Sequence, residues 1–128
     1  MRSEELIRFR GDKGPLNDKS FDFALRIIKL FKYMQAEHRE YILSKQILRS
    51  GTAIGALVRE ARFAHSGADF LNKLTVALKE ANETKYWLEL LWKSEYINDK
   101  MYQSISPDIE ELLKLLISST KTVKEGQQ

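Results

Sequence analysis

Four carboxylates invite a chemical reading: Glu60, Asp69, Glu80 and Glu83. Paired acids can trade protons or hold a metal, and helical bundles build di-iron sites from Glu-x-x-His pairs plus two further glutamates. The chain has two histidines, and the residue three before each is Gln35 for His38 and Arg62 for His65, so that motif is absent. No P-loop, dinucleotide fingerprint or Gly-x-Ser-x-Gly elbow occurs. Ser50 and Thr52 have no accompanying base and read as packing and surface residues on a helix. The expectation is a protein that is not an enzyme and that needs no metal or other cofactor. Trp87, Trp92, Tyr86 and Tyr96 could stack bases, but at helical spacing they read first as core or interface.

The chemistry that remains is electrostatic. Residues 20–62 carry eight lysines and arginines against four acids, and residues 63–128 carry eight against ten. A basic first half attracts phosphate backbones. The candidate nucleic-acid contacts are Arg26, Lys29, Lys32, Lys45, Arg49, Arg59 and Arg62. Some of these have a competing role: antiparallel helices joined near residues 63–67 would set Arg49 level with Glu80 or Glu83, and Glu60 level with Asp69 or Lys73. Those pairings would be structural ion pairs fixing register or a subunit contact.

Apolar periodicity supplies the elements that carry these groups. A first helix is expected from Asn17 as N-cap, with Leu16 and Phe21 as a hydrophobic staple. Its face would be Phe21, Ala24, Leu25, Ile28 and Phe31, widened by Ile27, Leu30 and Met34. A second helix, from Arg39 or Glu40 to Arg62, turns Leu43, Ile47, Ser50, Ile54, Val58 and Ala61 to one side. Gly51 and Gly55 lie on its flank. Each costs about 1 kcal/mol relative to alanine inside a helix, so close approach of another backbone is expected there. Ser66 caps a third helix, with Asp69 placed for a capping-box-like contact. That helix reaches Glu95 with a core stripe of Phe70, Leu74, Ala77, Leu78, Ala81, Thr84, Leu88 and Leu91. A second flank, Val76, Trp87 and Leu90, is the candidate oligomer interface. Pro107 divides the last region into a short helix over 99–105 and a longer one capped by Ser106, or else kinks a single helix. The fold class expected is all-α, an antiparallel up-and-down four-helix bundle over residues 17–124. Residues 1–16 read as a mobile or loosely docked leader, and residues 125–128 as a frayed end.

Composition sets the remaining bounds. With 128 residues, 43% apolar and 30% charged, the chain can bury one core unaided. It has no cysteine, its first residues carry acids without the apolar h-region of a signal peptide, and no apolar run comes near the roughly 20 residues that cross a bilayer, so a cytoplasmic location without membrane partners is expected.

The stretches Lys19-Ser20-Phe21-x-Phe23-Ala24, Gln46-x-Leu48-Arg49-Ser50-Gly51-Thr52, Ile54-Gly55-Ala56 and Glu60-Ala61 carry a resemblance. Ser66, Asp69-Phe70, Lys73-Leu74 and the run from Ala77 to Leu88 extend it across most of residues 19–97. They resemble the bacterial four-helix bundle proteins first noticed as products of intervening sequences in large-subunit ribosomal RNA genes, often labelled ribosomal-like. The resemblance implies a homo-oligomer, a ring-like pentamer. It also implies kinship with the accessory proteins of diversity-generating retroelements, which bind RNA or DNA and partner a reverse transcriptase. It carries over no catalytic residue. The resemblance implies Ser at the position of Ala53 and Asn at that of Leu57; this chain departs from both, and any polar contact that such a pair would make is missing here. Two functional readings follow: a basic surface on the first two helices that binds nucleic acid, or a scaffold whose partners are proteins alone.

Overall fold

The computed structural model describes residues 14–126, which form four helices and no strand. They are α1 (Pro15–His38), α2 (Leu43–Ala61), α3 (Gly67–Lys93) and α4 (Asp99–Gly126). Each packs on the next, and α4 returns to α1, so the four close a ring around one core. Pairings across the seams run in opposite directions along the chain: Lys19 meets Glu111 while Arg26 meets Asp108, and Arg49 meets Glu80 while Glu60 meets Lys73. The bundle is antiparallel.

The connections are built from caps. Arg39 takes a left-handed conformation (φ 50°) at the end of α1, and its N–H donates to Gln35 O. Glu40 then caps α2 from outside: its carboxylate accepts from the N–H groups of Ile42, Leu43 and Ser44 at 3.2, 3.1 and 2.8 Å. These are orphan donors of a first helical turn, so α2 opens at Leu43 rather than at Arg39 or Glu40. The Ser66 hydroxyl accepts from Asp69 N–H at 3.1 Å, and the Asp69 carboxylate accepts from His65 N–H, a reciprocal arrangement displaced by one residue from the usual box. Helix α3 ends at Lys93 in a Schellman motif: Tyr96 N–H donates to Leu91 O, and Glu95 N–H to Trp92 O. Glu95 takes the left-handed position (φ 70°) usually held by glycine. Asn98 accepts from Met101 N–H and starts α4.

Three further expectations are corrected. Helix α1 starts at Pro15 with Gly14 as N-cap, because proline suits a first turn whose N–H groups are unpaired anyway. Asn17 lies inside the helix, where its carbonyl accepts from the Ser20 hydroxyl. The face of α1 turned to the core is Leu16, Ser20, Phe23, Ile27, Leu30 and Met34. Phe21 and Leu25, expected inside, are 50% and 47% exposed. Finally, Pro107 does not divide the last region; of the two readings the single helix holds, and α4 runs for 28 residues. Pro107 and Gln103 both face solvent, so water can serve the Gln103 carbonyl that proline leaves without an N–H partner. The leader expected over 1–16 falls mostly outside the described residues, as do Gln127 and Gln128 of the expected frayed end.

Candidate nucleic-acid interface

The seven candidate cations do not form one strip. Three separate seams hold most of them. On the α2–α3 seam, the Arg49 guanidinium bonds Glu80 at 3.0 Å and also Glu83. Glu83 accepts in addition from the Trp87 indole N–H at 3.0 Å. The Trp87 bond, reinforced by Arg49, holds the Glu83 carboxyl below the usual carboxylate range against the opposing effect of burial. Behind this pair, the buried Ser50 and Thr84 hydroxyls lie 2.8 Å apart, and Thr84 donates to Glu80 O at 2.8 Å. Lys73 sits 3.7 Å from Glu60 on the same seam. Lys45, one turn before Arg49, is exposed and joins none of these pairs.

On the α1–α2 seam the packing is steric. A Cβ on Gly51 would lie 2.8 Å from Ile27 Cγ1, and one on Gly55 would lie 3.2 Å from the Ser20 carbonyl oxygen. The two glycines let α1 approach closely, as their spacing predicts. At the outer edge, Arg59 lies over the Phe21 ring at 5.6 Å and Arg62 over Phe63 at 6.0 Å. The groove beside Arg59 and Arg62 also contains Asp18 and Asp22, so its charge is mixed.

The α1–α4 seam differs. Arg26 reaches across it as a fork: it donates to Ser104 O at 3.0 Å, to the Ser104 hydroxyl at 2.7 Å and to Asp108. This clamps α4 in the turn around Pro107. Beside it runs a groove of about 430 Å³ between α1 and the start of α4. Arg26, Lys29 and Lys100 supply its charge, Tyr33, Met101 and Ile105 its apolar wall, and no carboxylate lines it. Lys29 and Lys100 are exposed. Sequence reasoning missed Lys100, which α4 brings beside Lys29 only once the bundle is closed; no local spacing signals that meeting. Lys32 stands apart on the outer face of α1.

Of the aromatic candidates, Tyr86 is 57% exposed and meets Trp87 edge to face, and the others are engaged. Trp92 stacks on Tyr102 at 4.1 Å, bonds Asp99 through its indole N–H and carries the Lys93 ammonium over its ring. Tyr96 meets His38 edge to face. Val76, Trp87 and Leu90 are half-buried within the protomer. Ala53 and Leu57, where the resemblance implies Ser and Asn, are also half-buried, and Leu57 packs on the core. Among the described residues no group of three or more His, Cys, Asp or Glu could hold a metal ion, and no helix is long and apolar enough to cross a membrane.

This is an all-α protein of the antiparallel four-helix bundle class, with an electropositive groove on one seam. The chain belongs to the 23S rRNA-intervening sequence protein family, whose model matches residues 16–118. It is similar to a protein of unknown function from the S23 ribosomal protein family of Bacteroides thetaiotaomicron VPI-5482, known as a crystal structure. The two are 58% identical, the match covers 83% of this chain and 95% of that one, and the TM-score is 0.81. No curated protein matches.

Proposed function

We propose that this protein is a non-enzymatic, homo-oligomeric bundle that works in the cytoplasm and binds the sugar-phosphate backbone of RNA or DNA through the α1–α4 groove. One observation carries the reading: Arg26, Lys29 and Lys100 converge on a groove that no carboxylate lines. Phosphate contacts of this kind position a polynucleotide without reading its sequence. Arg26, paired with Asp108, stays clamped to α4 and frames the groove; Lys29 and Lys100 are the movable contacts. Arg49, held by two glutamates, serves architecture in this reading.

The test is a titration of structured RNA and of duplex DNA at low salt. Lys29→Ala/Lys100→Ala is expected to weaken binding at least tenfold, and Arg49→Ala to leave it within about twofold, since each lost phosphate contact removes counterion release. Equal binding by wild type and the Lys29/Lys100 variant contradicts the groove. A scaffold with protein partners alone is the second reading, favoured by the carboxylates that occupy Arg26 and Arg49; indifference of the wild type to both polynucleotides selects it.

A further inference from the structure

We infer that the α1–α4 groove takes single-stranded nucleic acid, with a phosphate held between Lys29 and Lys100 and its base stacked on Tyr33. This rests on the groove reading above and names the form of polynucleotide that the groove accepts.

Helix geometry sets the order of contacts along the groove. Arg26 fixes the register, because its bonds to Ser104 put those two residues level. From there Lys29 lies three residues on along α1, and Lys100 lies four residues back along the antiparallel α4. These steps run about 4.5 and 6 Å in the same direction at 1.5 Å per residue, so the two lysines stand on opposite walls at nearly one level. Neither forms a salt bridge among the described residues, whereas Arg26 is taken up by Asp108. Two such ammonium groups facing each other make a clamp for one phosphate.

Tyr33 follows Lys29 by four residues, one turn or about 6 Å further along the same wall. Its ring is half-buried. His38 packs edge to face against it at 5.5 Å, and Tyr96 backs His38 at 5.3 Å, so the ring is positioned before a ligand arrives. Met101 stands half-buried on the α4 wall, and the buried Leu30, Ile97 and Ile105 form the floor. A phosphate at the lysines therefore has an aromatic ring and apolar surface one turn away.

This pairing suits a single strand better than a duplex. In a duplex the base faces are stacked on one another, and the outer surface is sugar and phosphate. Such a ligand satisfies the lysines and leaves Tyr33 and Met101 against a charged backbone. A single strand can turn an unpaired base onto an aromatic ring while its phosphate stays with the cations. Every base has such a face, so the contact does not read sequence. At about 430 Å³ the groove has room for one nucleotide unit and not for a double helix.

The experiment is fluorescence anisotropy of the full chain at low salt with three labelled probes of equal length: oligothymidylate, the same strand in a duplex, and an abasic deoxyribose-phosphate strand. The wild type is expected to bind oligothymidylate about tenfold more tightly than either of the others. Tyr33→Leu keeps an apolar group against the core and is expected to weaken oligothymidylate binding about tenfold, leaving the duplex and the abasic strand within about twofold of wild type. Tyr33→Phe retains the ring and is expected to stay within about twofold of wild type on all three probes. Circular dichroism melts verify that both variants fold. Equal binding of oligothymidylate and the abasic strand by the wild type, or tighter binding of the duplex, overturns the base contact. So does indifference of single-strand binding to Tyr33→Leu, or an equal loss on all three probes, since a base contact leaves the abasic strand unmoved. In each of these cases the groove reading stands as long as Lys29→Ala/Lys100→Ala still weakens binding. A wild type that binds none of the probes overturns both.

Discussion

The two sides of α2 hold their neighbours by different means. Toward α1 the inner contact is one of shape, with Arg59 over Phe21 at its rim: Gly51 and Gly55 let Ile27 and the Ser20 backbone come within a distance that a methyl group would occupy. Toward α3 it is a layered polar seam, with Ser50 and Thr84 bonded inside and Arg49, Glu80 and Glu83 outside. Steric fit is unforgiving, because a packed core has no room to yield. A solvent-facing polar seam tolerates the loss of a member, since water replaces the missing partner. Both sides therefore serve architecture, and the groove proposed to meet a polynucleotide lies across the bundle, between α1 and α4.

Mutations on the two sides should differ accordingly. Gly51→Val is expected to have the largest effect, about 3 kcal/mol of destabilisation in urea or thermal melts, because its Cβ would press on the fully buried Ile27. A neutral result would mean that α1 can move away and that the seam is not tightly fitted. Ser50→Ala comes next, at about 1 kcal/mol, for one buried hydrogen bond lost while Thr84 keeps the Glu80 carbonyl as acceptor. Arg49→Ala should cost least, about 0.2–1 kcal/mol, since Arg49 is 52% exposed. A double-mutant cycle with Glu83→Gln measures the coupling; a value well above 1 kcal/mol would show the outer pair to be more than rim.

The polar seam also sets an acid limit. Glu83 is held low by Trp87 and Arg49. For Glu40 burial pushes upward, but the Ser44, Leu43 and Ile42 N–H groups outweigh it and the carboxyl ends below its ordinary value. A carboxyl lowered on folding adds stability that is complete above its unfolded value, near 4.3, and is lost as pH falls through the folded one. Stability should therefore fall below about pH 4, and Glu40→Gln should flatten part of that fall in melts taken across the range. An unchanged profile in Glu40→Gln would mean that the α2 cap contributes nothing to it.

The sequence made the bundle legible because its punctuation is local. Ser66 and Asp69 mark the start of α3, Asn98 the start of α4, and the short connections force antiparallel neighbours. The orientation of α1 was not legible, since the helix is apolar on two sides and the buried stripe includes Ser20, while Phe21 and Leu25 look like core and stand outside. Pro107 left two readings open for a related reason: the cost of the carbonyl that a proline strands depends on whether water can reach it, and burial is a tertiary fact. The cations were legible as a list but not as a site. Arg26 finds Asp108, 82 residues away, and Lys29 finds Lys100 across the closed bundle.

Whether that groove takes phosphate is the deciding question. The direct measurement is the slope of log binding constant against log salt for duplex DNA, with wild type and Lys29→Ala/Lys100→Ala compared. Losing two phosphate contacts should make the slope shallower by about 2, given roughly 0.9 per contact. Parallel slopes for the two proteins would contradict the account.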